Sequence, residues 1–330
     1  MSRTIRVAAM TCLLFAIVAP ALGQTPTTMP AVSADVKAKA DKSLAAGVKF
    51  LLATQAPDGS WQGKDGPAVT ALAVKALVQA GEKPDSPAIR KAMDFIVSKQ
   101  VKPAARLDDE QNRMRGSFAS QELANYNTAI CVSTLVLMNK LLGNNPYDQN
   151  IKDALDFLRR DQWDESEGLT EDKPAYGGFG YGGGQRPDMS NTNTTMDALK
   201  ALKDAGYIKE DDPMFKKVQK FVERSQNFSE NKVDTFIVGD DGGFVYTPAI
   251  SPTQGGASSK VAGQTSEPGK KSKLTSYGSM TYAGFKSFVY SGLPRDDDRV
   301  KAAFKWIQQN YTVAENPGMG PEGLFYYYHT

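Results

Sequence analysis

A short unit recurs along this chain, and it constrains the fold more than any other feature. Its first copy is Phe50-Leu-Leu-Ala-Thr-Gln55, a turn at Pro57-Asp58-Gly59, then Trp61. The aromatic and the amide return five residues apart at Phe95/Gln100, Phe157/Gln162 and Phe221/Gln226, and in degenerate form at Trp306/Tyr311. Each copy is followed by Gly, any residue, aromatic: Gly59/Trp61, Gly116/Phe118, Gly177/Phe179, Gly242/Phe244 and Gly323/Phe325. A repeat with a period of tens of residues implies an array in which neighbouring units bury each other's apolar faces.

The unit reads as structural. The aromatic ahead of the Gln is an apolar helix residue facing a neighbour. The Gln carries two donors and an acceptor, enough to tie together orphan backbone groups at adjoining helix ends. Glycine permits the turn, and the next aromatic packs a large area against the following unit. Gln55, Trp61, Gln100, Phe118, Gln162, Phe179, Gln226 and Phe244 are therefore expected to be joints of the repeat.

Between the copies, two kinds of helix alternate. Residues 36–54, 87–99, 151–160, 213–225 and 299–310 carry apolar side chains at helical spacing and polar ones elsewhere, the signature of a half-buried helix. Residues 68–80 and 127–142 are apolar or small on nearly every face, the signature of a buried one, and 192–205 and 277–290 are read as the same buried type. Strict alternation predicts an all-α fold of two concentric layers, buried helices inside and amphipathic helices outside. No stretch reads as a strand. Caps are expected from Asp65 for the first inner helix, from Asn125 to Asn127 for the second, and from Ser190 or Asn191 for the third.

Composition narrows the partners. Lys and Arg number 39 against 37 Asp and Glu, so the formal charge of +2 gives no electrostatic case for nucleic acid. Two Cys and one His leave almost no material for a metal site, and no metal or cofactor is expected. Cys131, on an apolar helix, reads as a small core residue.

Residues 1–23 have the basic end, apolar run and small-residue cleavage site of a secretory signal peptide, which implies export to a periplasm or beyond. Residues 24–35 read as a Pro/Thr-rich linker, and 36–330 as the repeat domain. Within it, 248–273 is rich in Gly, Ser, Lys and Pro, and is expected to be a flexible excursion. The glycine-rich run from Tyr176 to Gly184 lacks the preceding strand and the Lys-Ser/Thr ending of a phosphate-cradling loop.

Gln55-Ala-Pro-Asp-Gly59-Ser-Trp61 and its copies resemble the Gln-Trp repeats of squalene-hopene and oxidosqualene cyclases, with related helical repeats in protein prenyltransferase β subunits. The resemblance covers roughly 38–330 and implies an α/α toroid whose inner helices line a cavity for an isoprenoid chain. It also implies class II terpene cyclisation, in which an Asp-x-Asp-Asp-Thr acid protonates an alkene or epoxide and aromatic faces stabilise the cation. That motif is absent. Its nearest echo is Asp188-Met189-Ser190-Asn191-Thr192, with Ser and Asn in place of two acids. Asp296-Asp297-Asp298 opens an amphipathic helix and reads as a charge cluster at a helix start.

By the resemblance, inner-helix starts would gather at one rim of the ring. Asp65 and Asp188 are the candidate catalytic acids, with Glu267 behind them. Tyr126, Asn127, Asn191, Tyr277, Tyr282 and Tyr327 are the candidate ligand-binding residues. The repeat also implies more units than are present, so an incomplete, C-shaped toroid is expected. Two functions stay open: a terpene cyclase-like enzyme acting on an isoprenoid, with a membrane surface as its place of work, or a non-catalytic repeat protein that binds a ligand in the cell envelope.

Overall fold

The computed structural model describes residues 33–102, 109–118, 123–182, 184–267 and 269–330. The signal-peptide and most of the linker assignments, and Cys12, lie outside these. The chain divides into two units, 1–45 and 46–330. In the first, the described residues enter a helix, α1 (Ala34–Thr54), whose last turns belong to the second unit.

The second unit is all-α, with no strand among the described residues beyond isolated bridges. Its helices are α2 (Ala68–Gln79), α3 (Pro87–Ser98), α4 (Asp109–Met114), α5 (Ala124–Leu142), α6 (Asp148–Asp161), α7 (Met189–Asp204), α8 (Pro213–Arg224), α9 (Gly278–Tyr290), α10 (Asp298–Asn310) and α11 (Leu324–His329). α2, α5, α7, α9 and α11 pack each on the next, and α3, α6, α8 and α10 back them from outside. This is the alternating two-layer arrangement of the α/α toroid class. One apolar core runs through it, with Leu77, Leu135, Leu199 and Phe288 inaccessible to solvent.

The four main copies of the repeat make one joint, built the same way each time. Nε2 of Gln55 donates to the carbonyls of Gly59 and Ala88, both at 2.9 Å. Gln100 does so to Gly116 and Asn150, Gln162 to Gly177 and Met214, and Gln226 to Gly242 and Arg299, at 2.9–3.3 Å. One acceptor is the motif glycine; the other is a first-turn carbonyl of the next outer helix. That carbonyl also serves the helix ladder, so the Gln adds a second donor to it; it does not rescue an orphan group.

The glycines complete the joint. Gly59, Gly116, Gly177 and Gly242 all have positive φ, and a Cβ on any of them would overlap the backbone carbonyl of Lys91, Asp153, Lys217 or Ala302. Each of these lies three residues beyond the carbonyl that the Gln holds. Glycine is thus required both for conformation and for close approach.

A second latch was not foreseen. The amide N–H of each motif aromatic donates to a threonine hydroxyl near the start of the next inner helix. The pairs are Trp61 to Thr70, Phe118 to Thr128 and Phe179 to Thr192, all at 3.0 Å, and Phe244 to Thr281 at 3.2 Å. Trp61 is nearly buried, and Phe118, Phe179 and Phe244 are wholly so.

Several expectations need correction. Phe50 is 64% exposed, unlike the buried Phe95, Phe157 and Phe221. The fifth copy does not form the joint: Tyr311 and Phe325 are 68% and 74% exposed. α2 is buried along Thr70, Ala71, Ala73, Val74 and Leu77 but leaves Val69 and Ala76 exposed. It packs closely on one inner helix, α5, whereas α5 lies between α2 and α7.

Helix starts differ too. The first N–H of α2, on Ala68, is capped by Asn127 Oδ1 from α5 at 3.0 Å. Asp65 ends a 3-10 turn at Gly63–Asp65, and its side chain lies outside the described residues. α7 is capped by Asp188, not Ser190 or Asn191. A cap drawn from a neighbouring helix leaves no local signature for the sequence rules to find.

The 248–273 stretch folds back through bridges joining Thr247 to Ser258, Ser251 to Gly255 and Ser258 to Thr265. Arg186 Nη1 donates to the carbonyls of Ala249, Gly255 and Gly256. Ala257 joins Phe236, Val245 and Leu274 in a small second core.

Candidate functional site

Asp188 is the centre of the most chemically distinct cluster in the molecule. It stands at the N-cap of α7 and is 2% exposed. Oδ1 accepts the backbone N–H of Asn191 at 2.9 Å, and Oδ2 accepts the Asn191 side-chain amide at 2.8 Å. Burial pushes its pKa up to about 6, against the lowering pull of the Asn191 bonds, the Tyr246 hydroxyl and the Ser190 backbone. Desolvation wins over hydrogen bonding here.

Tyrosines surround it. Tyr126, Tyr181, Tyr246, Tyr277 and Tyr326 all feel its charge, and each is raised, first by burial and then by Asp188 or other neighbours. Tyr126 and Tyr181 lie ring to ring at 5.7 Å. The Tyr181 and Tyr246 hydroxyls are 2.9 Å apart. The Tyr126 hydroxyl bonds Ser190 Oγ, and the Tyr326 hydroxyl donates to the Ser190 carbonyl at 3.2 Å. Asn193 Nδ2 donates to Tyr326 at 3.1 Å, while Asn193 Oδ1 is buried without a protein partner. Helices α5, α7 and α11 and the start of α9 therefore meet here, joined by two loop tyrosines.

The expected ligand-binding residues divide. Tyr126 and Tyr277 join the cluster. Asn127 caps α2, and Asn191 is held by Asp188 on one side and Asn125 on the other. Tyr282 and Tyr327 form a separate edge-to-face pair at 5.4 Å, with the Tyr327 hydroxyl on the carbonyl of Thr312. Glu267 is exposed in a turn bridged to Lys270. Asp297 caps α10 and Asp298 lies in its first turn, as a charge cluster at a helix start should. Cys131 is buried and unpaired, its thiol pushed up by desolvation.

Tyr181 and Tyr246 were missed, although a signal was present. Each follows its motif aromatic by two residues, in Phe179-Gly-Tyr181 and Phe244-Val-Tyr246. Among the described residues no helix is long and apolar enough to cross a membrane. A separate open cleft of about 800 Å³ lies on the outer side, lined with mixed charges from Lys220 and Glu223 on α8 and Asp298 and Arg299 on α10.

Comparison with known proteins agrees with the repeat. Residues 15–182 match the model of the squalene-hopene cyclase C-terminal domain. A lanosterol synthase of Candida albicans is 29% identical over 136 residues, which is 40% of this chain and 18% of that enzyme. Among solved structures, a polysaccharide lyase overlays 84% of this chain and 73% of its own with a TM-score of 0.48 and 10% identity, too loose to decide fold or activity. The chain spans less than a fifth of the synthase it matches. With the joint, the two layers and a family match over half its length, the chain belongs to the squalene-hopene cyclase C-terminal domain family.

Proposed function

We propose that this terpenoid cyclase-related protein holds an isoprenoid lipid between its inner helices without cyclising it. The observation that carries this reading is the state of Asp188. Protonating an alkene demands a strong acid with its proton aimed at the substrate. Asp188 is weakened to a pKa of about 6, and both of its oxygens accept bonds from Asn191. That geometry supports a capping role in a tyrosine-lined wall more than proton delivery. Family membership and the aromatic surroundings support an apolar ligand.

Incubating the purified protein with squalene or oxidosqualene and analysing the extract by mass spectrometry tests this. The expected outcome is retention of unchanged substrate. Polycyclic product that disappears in Asp188→Asn would overturn it and establish the cyclase reading, which the five tyrosines around one carboxyl favour.

We further propose export, on the strength of residues 1–23. Sequencing the amino terminus of the mature protein should find it near residue 24; an intact Met1 on cytoplasmic protein would exclude it.

A further inference from the structure

The threonine latches put the inner helices in register, and that register brings charges together. Counting five residues on from Thr70, Thr128, Thr192 and Thr281 gives Lys75, Ser133, Asp197 and Lys286. One position on four successive inner helices thus carries Lys, Ser, Asp and Lys. In an otherwise apolar helix, Lys75 is the single charged residue of α2.

The four helices place these groups within electrostatic reach. Lys286 Nζ is bonded to Asp197 at 2.9 Å, both partly shielded from solvent. Lys75 feels Asp197 and Lys286; His329, at the end of α11, feels Lys286, Asp197 and Lys75. Lys286 thus holds the Asp197 carboxylate, and Lys75 and His329 lie within reach of its charge. Lys75 has no hydrogen-bond or ion-pair partner among the described residues. Its ammonium is lowered in pKa chiefly by burial, which the charge of Asp197 offsets only in part, and burial likewise lowers His329. A shielded cation without a partner is costly unless something anionic supplies the missing charge.

We propose that Lys75 and Lys286, with His329 at the edge, form a site for the acidic head of a ligand, a carboxylate or phosphate, whose apolar body lies toward the Tyr126–Tyr326 end of the inner helices. The placement suits an amphiphile. Asp188 and Asp197 are nine residues apart on α7, about 14 Å at 1.5 Å per residue. Tyr326, bonded to Asn193 and the Ser190 carbonyl, feels both charges. The apolar body rests on the isoprenoid reading above; the anionic head does not.

The test compares binding of farnesoate, farnesol and inorganic phosphate by calorimetry, using wild type, Lys75→Met, Lys286→Met and the control Ser133→Ala. Farnesoate should bind at least about tenfold tighter than farnesol, and that preference should vanish in both lysine variants and persist in the control. Circular dichroism checks that each variant is folded. In protein with ¹³C-methylated lysines, the Lys75 signal should titrate at higher pH once farnesoate is bound. Equal affinity for acid and alcohol, or a preference that survives Lys75→Met, overturns the anionic site alone. Phosphate binding that depends on Lys75, without binding of either isoprenoid, upholds the anionic site and removes the isoprenoid reading. Absence of binding by all three probes removes both.

Discussion

Gly177 lies against the backbone carbonyl of Lys217 so closely that a methyl group in place of its hydrogen would overlap that oxygen. Gly59, Gly116 and Gly242 stand in the same relation to α3, α6 and α10. Gly177→Ala combines a positive φ of 87° with this overlap. It should destabilise by roughly 2–5 kcal/mol, adding backbone strain to overpacking. Guanidinium denaturation measures it. A Gly168→Ala control has a similar positive φ but nothing within 4 Å, and should cost less. Equal losses at the two positions would show that conformation alone, without contact, sets the requirement.

Removing the amide of Gln162 removes two hydrogen bonds from a buried joint. Gln162→Met keeps the volume and should cost about 2 kcal/mol, near 1 kcal/mol per bond. The loss should be local. Hydrogen exchange should quicken in the first turn of α8 and around Gly177, while α2 and α3 keep wild-type protection.

Thr192→Val leaves the amide of Phe179 buried without an acceptor and should destabilise by about 1–3 kcal/mol. Thr192→Ser, which keeps the hydroxyl, should recover most of that. If serine fares no better than valine, the methyl group and not the bond holds the helix.

Asp188 should impose a pH dependence of unusual sign. Its pKa is about 6 in the folded chain against 3.8 for the free side chain. Folding therefore takes up a proton between these values, and this contribution to stability rises as pH falls from 6 toward 4. Above pH 6 the buried charge costs roughly 3 kcal/mol, at 1.36 kcal/mol per pH unit. Asp164 and Asp212, held low by hydrogen bonds to Lys217 and Arg159 against the raising effect of burial, act in the opposite direction. The informative quantity is thus the stability of Asp188→Asn minus that of wild type. Asn still caps a helix, so the difference should favour the variant at pH 7.5 and shrink at pH 4.5. A difference equal at both values would show that the carboxyl is ionised throughout.

Arg186 holds the 249–256 turn through three carbonyls. Arg186→Ala should open that turn to limited proteolysis while leaving the melting temperature of the helical core within a few degrees. Cleavage sites identical to wild type would show that the bridges of Thr247, Ser251 and Ser258 suffice.

Much of the fold was legible because its signals are local. Outer helices α3, α8 and α10 begin within a residue of where periodicity, proline and acidic starts put them, since Pro87, Pro213 and Asp298 act on their own backbone. The Gln and Gly joints were legible as repetition, although not which carbonyls they would hold. The candidate site was harder. Asp188 was visible as a motif echo, but Asn127 and Asn191 serve helices other than their own or a carboxylate three residues back. Such partners depend on the tertiary arrangement. The buried start of α7, Ser190 to Thr195, is polar by composition. It is buried because Thr192, Thr194, Thr195 and Asn193 each find a partner. Lys75 was overlooked since one charge hardly alters the average of an apolar helix.

Because every joint meets the next outer helix at the same offset of three residues, the repeats are interchangeable parts with a common connector. Excising the stretch between two equivalent glutamines, or duplicating it, would present the following helix with the same carbonyl and the same notch. Such a chain can change its length by whole modules while its seams stay intact.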